Sequence, residues 1–175
     1  REVEKILTDV RRLIEEWRKK TEDIKREVDK LIEEWRKRSD EIADRSRKLA
    51  EEIERLLREG VPREDLRRMI KRILDEDRRL LKESRDKAKE IRDRVEKLVR
   101  ETDKKVKEIE DRVRKAGVEE RVLRKIRRDL ERLKKTDDDV LKTIEKKLRE
   151  LEERDRRLHK ESREIAEKLK EDIDR

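Results

Sequence analysis

The sequence predicts an all-α protein, a long, nearly straight up-down-up antiparallel three-helix bundle, on three observations. Leu13-Ile14-Glu15-Glu16-Trp17-Arg18-Lys19 returns as Leu31-Ile32-Glu33-Glu34-Trp35-Arg36-Lys37, an eighteen-residue step that organises the apolar residues of the whole chain. Eighteen residues make about five turns of a natural helix, so a pattern with this period asks for no supercoil. The chain is 63% charged and 30% apolar, yet nearly every Leu, Ile and Val falls on a helical stripe, which marks order rather than disorder. With two Gly and one Pro in 175 residues, it has only two places to turn.

The turns divide residues 1–175, read as one bundle, into helices at roughly 2–59, 62–116 and 119–174, each about 80 Å long at about 1.5 Å per residue. Gly60 and Gly117 are each followed by Val, and both strings read as helix stops. Gly takes the left-handed conformation that closes a helix, and Val61 and Val118 cover the last turn at Leu56 and Val113, as in a Schellman cap. Pro62 suits the first turn of the second helix, where a missing N–H costs nothing. Connections this short make neighbouring helices antiparallel.

Each helix has one apolar stripe and no second face to hide. The first runs through Val10, Trp17, Val28, Leu31, Trp35, Leu49 and Ile53, the second through Leu66, Ile73, Leu81, Ile91, Val99 and Val113, and the third through Ile126, Leu133, Ile144, Leu151, Leu158 and Ile173. Such narrow stripes fit three helices sharing one core and leave little apolar surface for an obligate partner.

Six hydroxyl residues and three aspartates interrupt the three stripes, and with the second helix antiparallel their numbering obeys one rule. First- and second-helix partners add to 123, and third-helix partners lie 116 beyond the first. Three levels each hold one carboxylate and two hydroxyls: Thr21/Thr102/Asp137, Ser39/Ser84/Asp155 and Ser46/Asp77/Ser162. A buried carboxylate that accepts from both hydroxyls of its level is tolerated, and an N–H from Trp17 or Trp35, one turn away, is expected to reach Asp137 or Asp155. Satisfied networks of this kind fix register, since purely apolar stripes can slide.

His159 falls between the last two levels, near Ala43 and Leu80, so Ser, His and Asp gather in one stretch. A nucleophilic triad also needs an oxyanion hole, but backbone N–H groups inside a helix are already bonded. A histidine satisfied within a network is the better reading, and no catalytic residue, cofactor site or metal site is expected. One His and no Cys cannot build a di-iron or zinc-thiolate centre, and consecutive carboxylates at Asp137, Asp138 and Asp139 point in different directions on a helix. The +8 net charge comes from interleaved signs, with no phosphate loop and no helix expected to carry an uninterrupted basic face, so no specific nucleic-acid partner is expected. No apolar run reaches membrane-span or signal-sequence length, so a soluble chain without a targeting signal is expected.

The eighteen-residue period, the lack of Asn, Gln, Phe and Tyr, the two Gly-Val turns and the hydroxyl–carboxylate levels together resemble computationally designed, parametric single-chain three-helix bundles with eighteen-residue repeats. Stretches 77–84 and 155–162, DRRLLKES and DRRLHKES, look like one solution placed on two helices. The polar levels look like hydrogen-bond networks built into such cores. The resemblance implies a monomeric, very stable scaffold with no enzymatic activity, cofactor or required partner. Two other expectations stand beside it: an assembly or helix-binding module, and a small-molecule pocket near His159 beside Ala43 and Ala88.

Overall fold

The computed structural model describes residues 2–175, and it is an all-α three-helix bundle. Helices α1 (Glu2–Arg58), α2 (Arg63–Lys115) and α3 (Glu120–Asp174) are built from Leu, Glu, Lys and Arg, which lose little rotamer freedom in a helix. Acidic residues occupy every first turn, Glu2 and Glu4, Glu64 and Asp65, and Glu120, where they complement the helix dipole. Arg55 and Arg58 close α1, and Arg112, Arg114 and Lys115 close α2, with the opposite charge at the opposite pole.

The chain gathers into two compact units, and every helix contributes a segment to each. The first consists of the described residues up to Lys30 with Glu90–Lys146, and the second of Leu31–Lys89 with Lys147–Arg175. In the first unit, Val10 of α1 packs with Val106, Ile109 and Val113 of α2 and with Ile126, Leu130 and Leu133 of α3. The core of the second joins Ala50 and Ile53 to Leu66, Ile70 and Ile73 and to Ala166, Leu169 and Ile173. Truncating one of these fully buried Leu or Ile side chains to Ala costs about 2–5 kcal/mol.

The turn after α1, within the second unit, is a Schellman motif. Gly60, with φ of 80°, donates from N to the Leu57 carbonyl at 3.3 Å, while Val61 N reaches the Leu56 carbonyl at 3.1 Å. Pro62 lies one residue outside α2, at the N-cap, where its carbonyl accepts the first helical bond from Leu66 N at 3.4 Å. In the first unit, Gly117, φ 66°, donates to the Arg114 carbonyl at 3.3 Å, and the Glu119 carbonyl starts α3 by accepting from Leu123 N at 3.0 Å.

The buried face shifts by one residue from the expected stripes at four adjacent pairs, and Trp17 is only half-buried. Ile32, Ala50, Leu80 and Leu98 are buried, whereas their neighbours Leu31, Leu49, Leu81 and Val99 are only half-buried, as is Leu158 on α3. Where two apolar residues are adjacent, sequence spacing leaves a choice of about 100° of rotation, which packing against two neighbours decides.

Candidate functional site

All nine hydroxyl and carboxylate residues of the three levels are buried, the most exposed being Ser162 at 8%. In the first unit, Thr21 Oγ1 donates to Asp137 Oδ1 at 2.9 Å, and Thr102 Oγ1 lies in hydrogen-bond contact with Asp137 Oδ2. The indole does not reach the carboxylate as expected: Trp17 Nε1 donates to Thr102 Oγ1 at 2.7 Å instead. Lys20 sits over the Trp17 ring, 4.4 Å from its centre, and pairs with Glu101 at 3.1 Å.

Thr102 Oγ1 also contacts the Leu98 carbonyl at 2.9 Å, and this extra acceptor fixes the proton inventory. A hydroxyl has one proton and two lone pairs, and here it faces an N–H donor, a carbonyl acceptor and a carboxyl oxygen. All three contacts are satisfied together only when Thr102 donates to Leu98 and Asp137 carries a proton that it donates to Thr102. Burial acts in the same sense and is the largest influence, raising the Asp137 carboxyl above its ordinary value, with nearby Asp138 and Asp103 adding repulsion.

In the second unit, Asp155 Oδ2 accepts from Ser84 Oγ at 2.5 Å and from Trp35 Nε1 at 2.9 Å, the indole N–H being shared with Ser84 Oγ at 3.0 Å. Ser39 does not join as expected; its Oγ and Asp155 Oδ1 are both buried without a hydrogen-bond partner. The level differs from that of Thr21 in carrying serine, which lacks the γ-methyl that restricts a threonine hydroxyl's rotamers. Arg38 flanks it with a two-pronged contact to Glu83 at 2.6 and 3.2 Å, which holds the Glu83 carboxyl below the usual range, and Arg154 pairs with Asp40.

The Ser46/Asp77/Ser162 level closes differently from the expectation. Asp77 Oδ2 meets His159 Nδ1, and neither serine hydroxyl bonds to the carboxylate. The longer imidazole bridges the turn between 159 and 162 and takes the place expected of the hydroxyls. Desolvation raises the Asp77 carboxyl, against the opposing pull of His159 and then Arg163. The partly exposed His159 ring lines a groove of about 460 Å³ between α2 and α3, with Leu74, Leu81 and Ala166 among its walls. Ala43 and Ala88, expected beside such a space, do not line it.

Ion pairs at the edges keep one register. Asp9–Arg112, Lys20–Glu101 and Glu27–Arg94 in the first unit and Arg38–Glu83 in the second all join α1 to α2 through residue numbers that add to 121. Each unit carries its own buried polar level in which an indole, a hydroxyl and a carboxyl meet, while Ser39 Oγ and Asp155 Oδ1 stay without partners. Among the described residues, no three His, Cys, Asp or Glu side chains gather to hold a metal ion, and no helix is long and apolar enough to cross a membrane.

No protein-family model and no curated protein matches the chain. Among solved structures it is similar to one described as a computationally designed three helix bundle, at 18% identity and a TM-score of 0.47, covering 98% of this chain and 87% of that one.

Proposed function

We propose that this chain is a de novo designed structural scaffold, monomeric and without natural biochemical activity, whose buried polar levels specify helix register. The observation that carries this reading is the repetition of one contact set at an eighteen-residue step. Trp17, Thr102 and Asp137 in the first unit and Trp35, Ser84 and Asp155 in the second each join an indole, a hydroxyl and a carboxyl from three helices. Moving any one helix by a single turn breaks its contacts in both sets at once, and moving α3 strips both buried carboxyls of their partners, which is the energetic basis for a single register. Apolar side chains alone would lose far less on such a shift.

The test replaces Thr21, Thr102, Asp137, Ser39, Ser84 and Asp155 with Val or Leu and measures spin-label distances between α1 and α3 within each unit. The native chain is expected to give one narrow distance per pair, and the apolar variant a broadened or multiple set. An apolar variant with unchanged narrow distances would remove the register role. A solution mass above that of one chain by light scattering would favour an assembly module instead.

A further inference from the structure

We propose that the exposed face of α3 carrying Arg121, Arg124, Lys125, Arg128, Arg132 and Lys135 binds the phosphate backbone of double-stranded nucleic acid without sequence preference. Residues 121–135 hold eight basic and two acidic side chains, a local excess of six in a chain whose total is +8. At about 100° of rotation per residue, the six cations fall within an arc of about 100° and run for about 21 Å along the axis. All six are exposed; of the two acids of the segment, Asp129 lies outside the arc and Glu131 at its edge, beside Arg128, Arg132 and Lys135. This corrects the expectation that no helix carries an uninterrupted basic face: interleaved signs along the sequence separate into a continuous row once wound into a helix.

Ion pairs on the row are sparse. Some cations on other faces are answered across helices, as in Lys20–Glu101, Arg38–Glu83 and Arg94–Glu27. Among the six, only Arg124 has an acid within ion-pair distance, Glu120 of its own helix at 3.4 Å. The adjoining groove between α1 and α3 mixes Arg11, Arg18 and Arg132 with Glu15, Glu22 and Asp129, so the row itself is the site of excess.

The chemistry of the face selects the occupant. A duplex offers a dense line of phosphates, about one charge per 1.7 Å of axis, to which Arg and Lys bind by releasing counterions. Single strands are held by stacking on aromatic side chains, and the only two here, Trp17 and Trp35, point their N–H groups into the polar levels. Bilayers are held by apolar insertion beside basic groups, and the arc has no apolar residue.

The experiment is fluorescence anisotropy of the full chain with a labelled 20-base-pair duplex, the same single strand, and phosphatidylserine/phosphatidylcholine vesicles, between 50 and 200 mM NaCl. The expected slope of log affinity against log salt for the duplex is about −5, from six contacts. The exposed double variant Arg128→Glu/Arg132→Glu, with helicity checked by circular dichroism, should bind at least tenfold more weakly at 50 mM and flatten the slope by about two. Lys71→Glu/Arg72→Glu, an equal charge change in the other unit, should lose less than threefold. Equal losses in the two variants would overturn the site, and single strand or vesicles bound as tightly as duplex would overturn its occupant.

Discussion

The carboxylate of Asp77 lies against Nδ1 of His159, not against the serines that share its level. Asp77 is 2% exposed and His159 partly exposed, so the imidazole is the carboxylate's link from core to edge. Replacing His159 with Leu leaves a buried acceptor short of its partner, at a cost of about 1–3 kcal/mol. Because His159 opposes the desolvation that raises Asp77, its loss raises the folded-state pKa further above the ordinary 3.8. A raised folded pKa gives stability that is full below the unfolded value and declines as pH rises through the folded one. The deficit of His159→Leu should therefore be small near pH 3 and grow toward neutrality in guanidinium titrations, and Asp77→Asn should largely cancel it. A deficit independent of pH would contradict this account.

Asp137 has the same sign with a different remedy. Its neutral isostere Asn offers an N–H to Thr102 and a carbonyl to Thr21, the arrangement assigned to the protonated acid. Asp137→Asn should match the parent within about 1 kcal/mol at pH 3 and gain on it as pH rises. Denaturation midpoints of the two proteins measured side by side from pH 3 to 8 provide the check. A variant that loses ground with rising pH would mean that Asp137 is held ionised.

Thr21 and Ser39 stand eighteen residues apart at equivalent levels, yet only Thr21 bonds its carboxyl. Thr21→Val orphans Asp137 Oδ1 and should cost about 1–3 kcal/mol, whereas Ser39→Ala removes an already unpaired hydroxyl and should be near neutral. Equal losses by urea unfolding would show that Ser39 carries a bond after all.

Gly60 and Gly117 hold φ values of 80° and 66°, and a Cβ at either would meet no atom within 4 Å. Alanine there pays for backbone conformation alone, about 1–2 kcal/mol at each position, and asparagine less. Thermal melts should place Gly60→Asn below the parent and Gly60→Ala lower still. A neutral alanine would argue against the left-handed turn.

Helix number, direction and turns were legible because period and punctuation are properties of the chain itself: the eighteen-residue step sets the stripe, and Gly60 and Gly117 end it. Adjacent apolar pairs such as Leu80 and Leu81 were ambiguous, since either fits a helical stripe until two neighbours set the rotation. Residue numbering places groups at a level, but bonding depends on side-chain reach. The Trp17 indole stops at Thr102, and His159 spans a turn to Asp77, which spacing alone does not predict. The basic row is hidden in the linear order of charges, where Asp129 and Glu131 interrupt it, and emerges only around the helix.

Each unit holds one tryptophan, and each indole N–H ends on that unit's own polar level. Trp17 is half-buried beneath the Lys20 ammonium, while Trp35 is 5% exposed against a carboxylate, so the two emit from unlike surroundings. Two variants, each keeping a single indole, turn emission into a separate optical gauge for each half of the chain. Comparing their melting curves distinguishes a molecule that opens all at once from one that opens in stages.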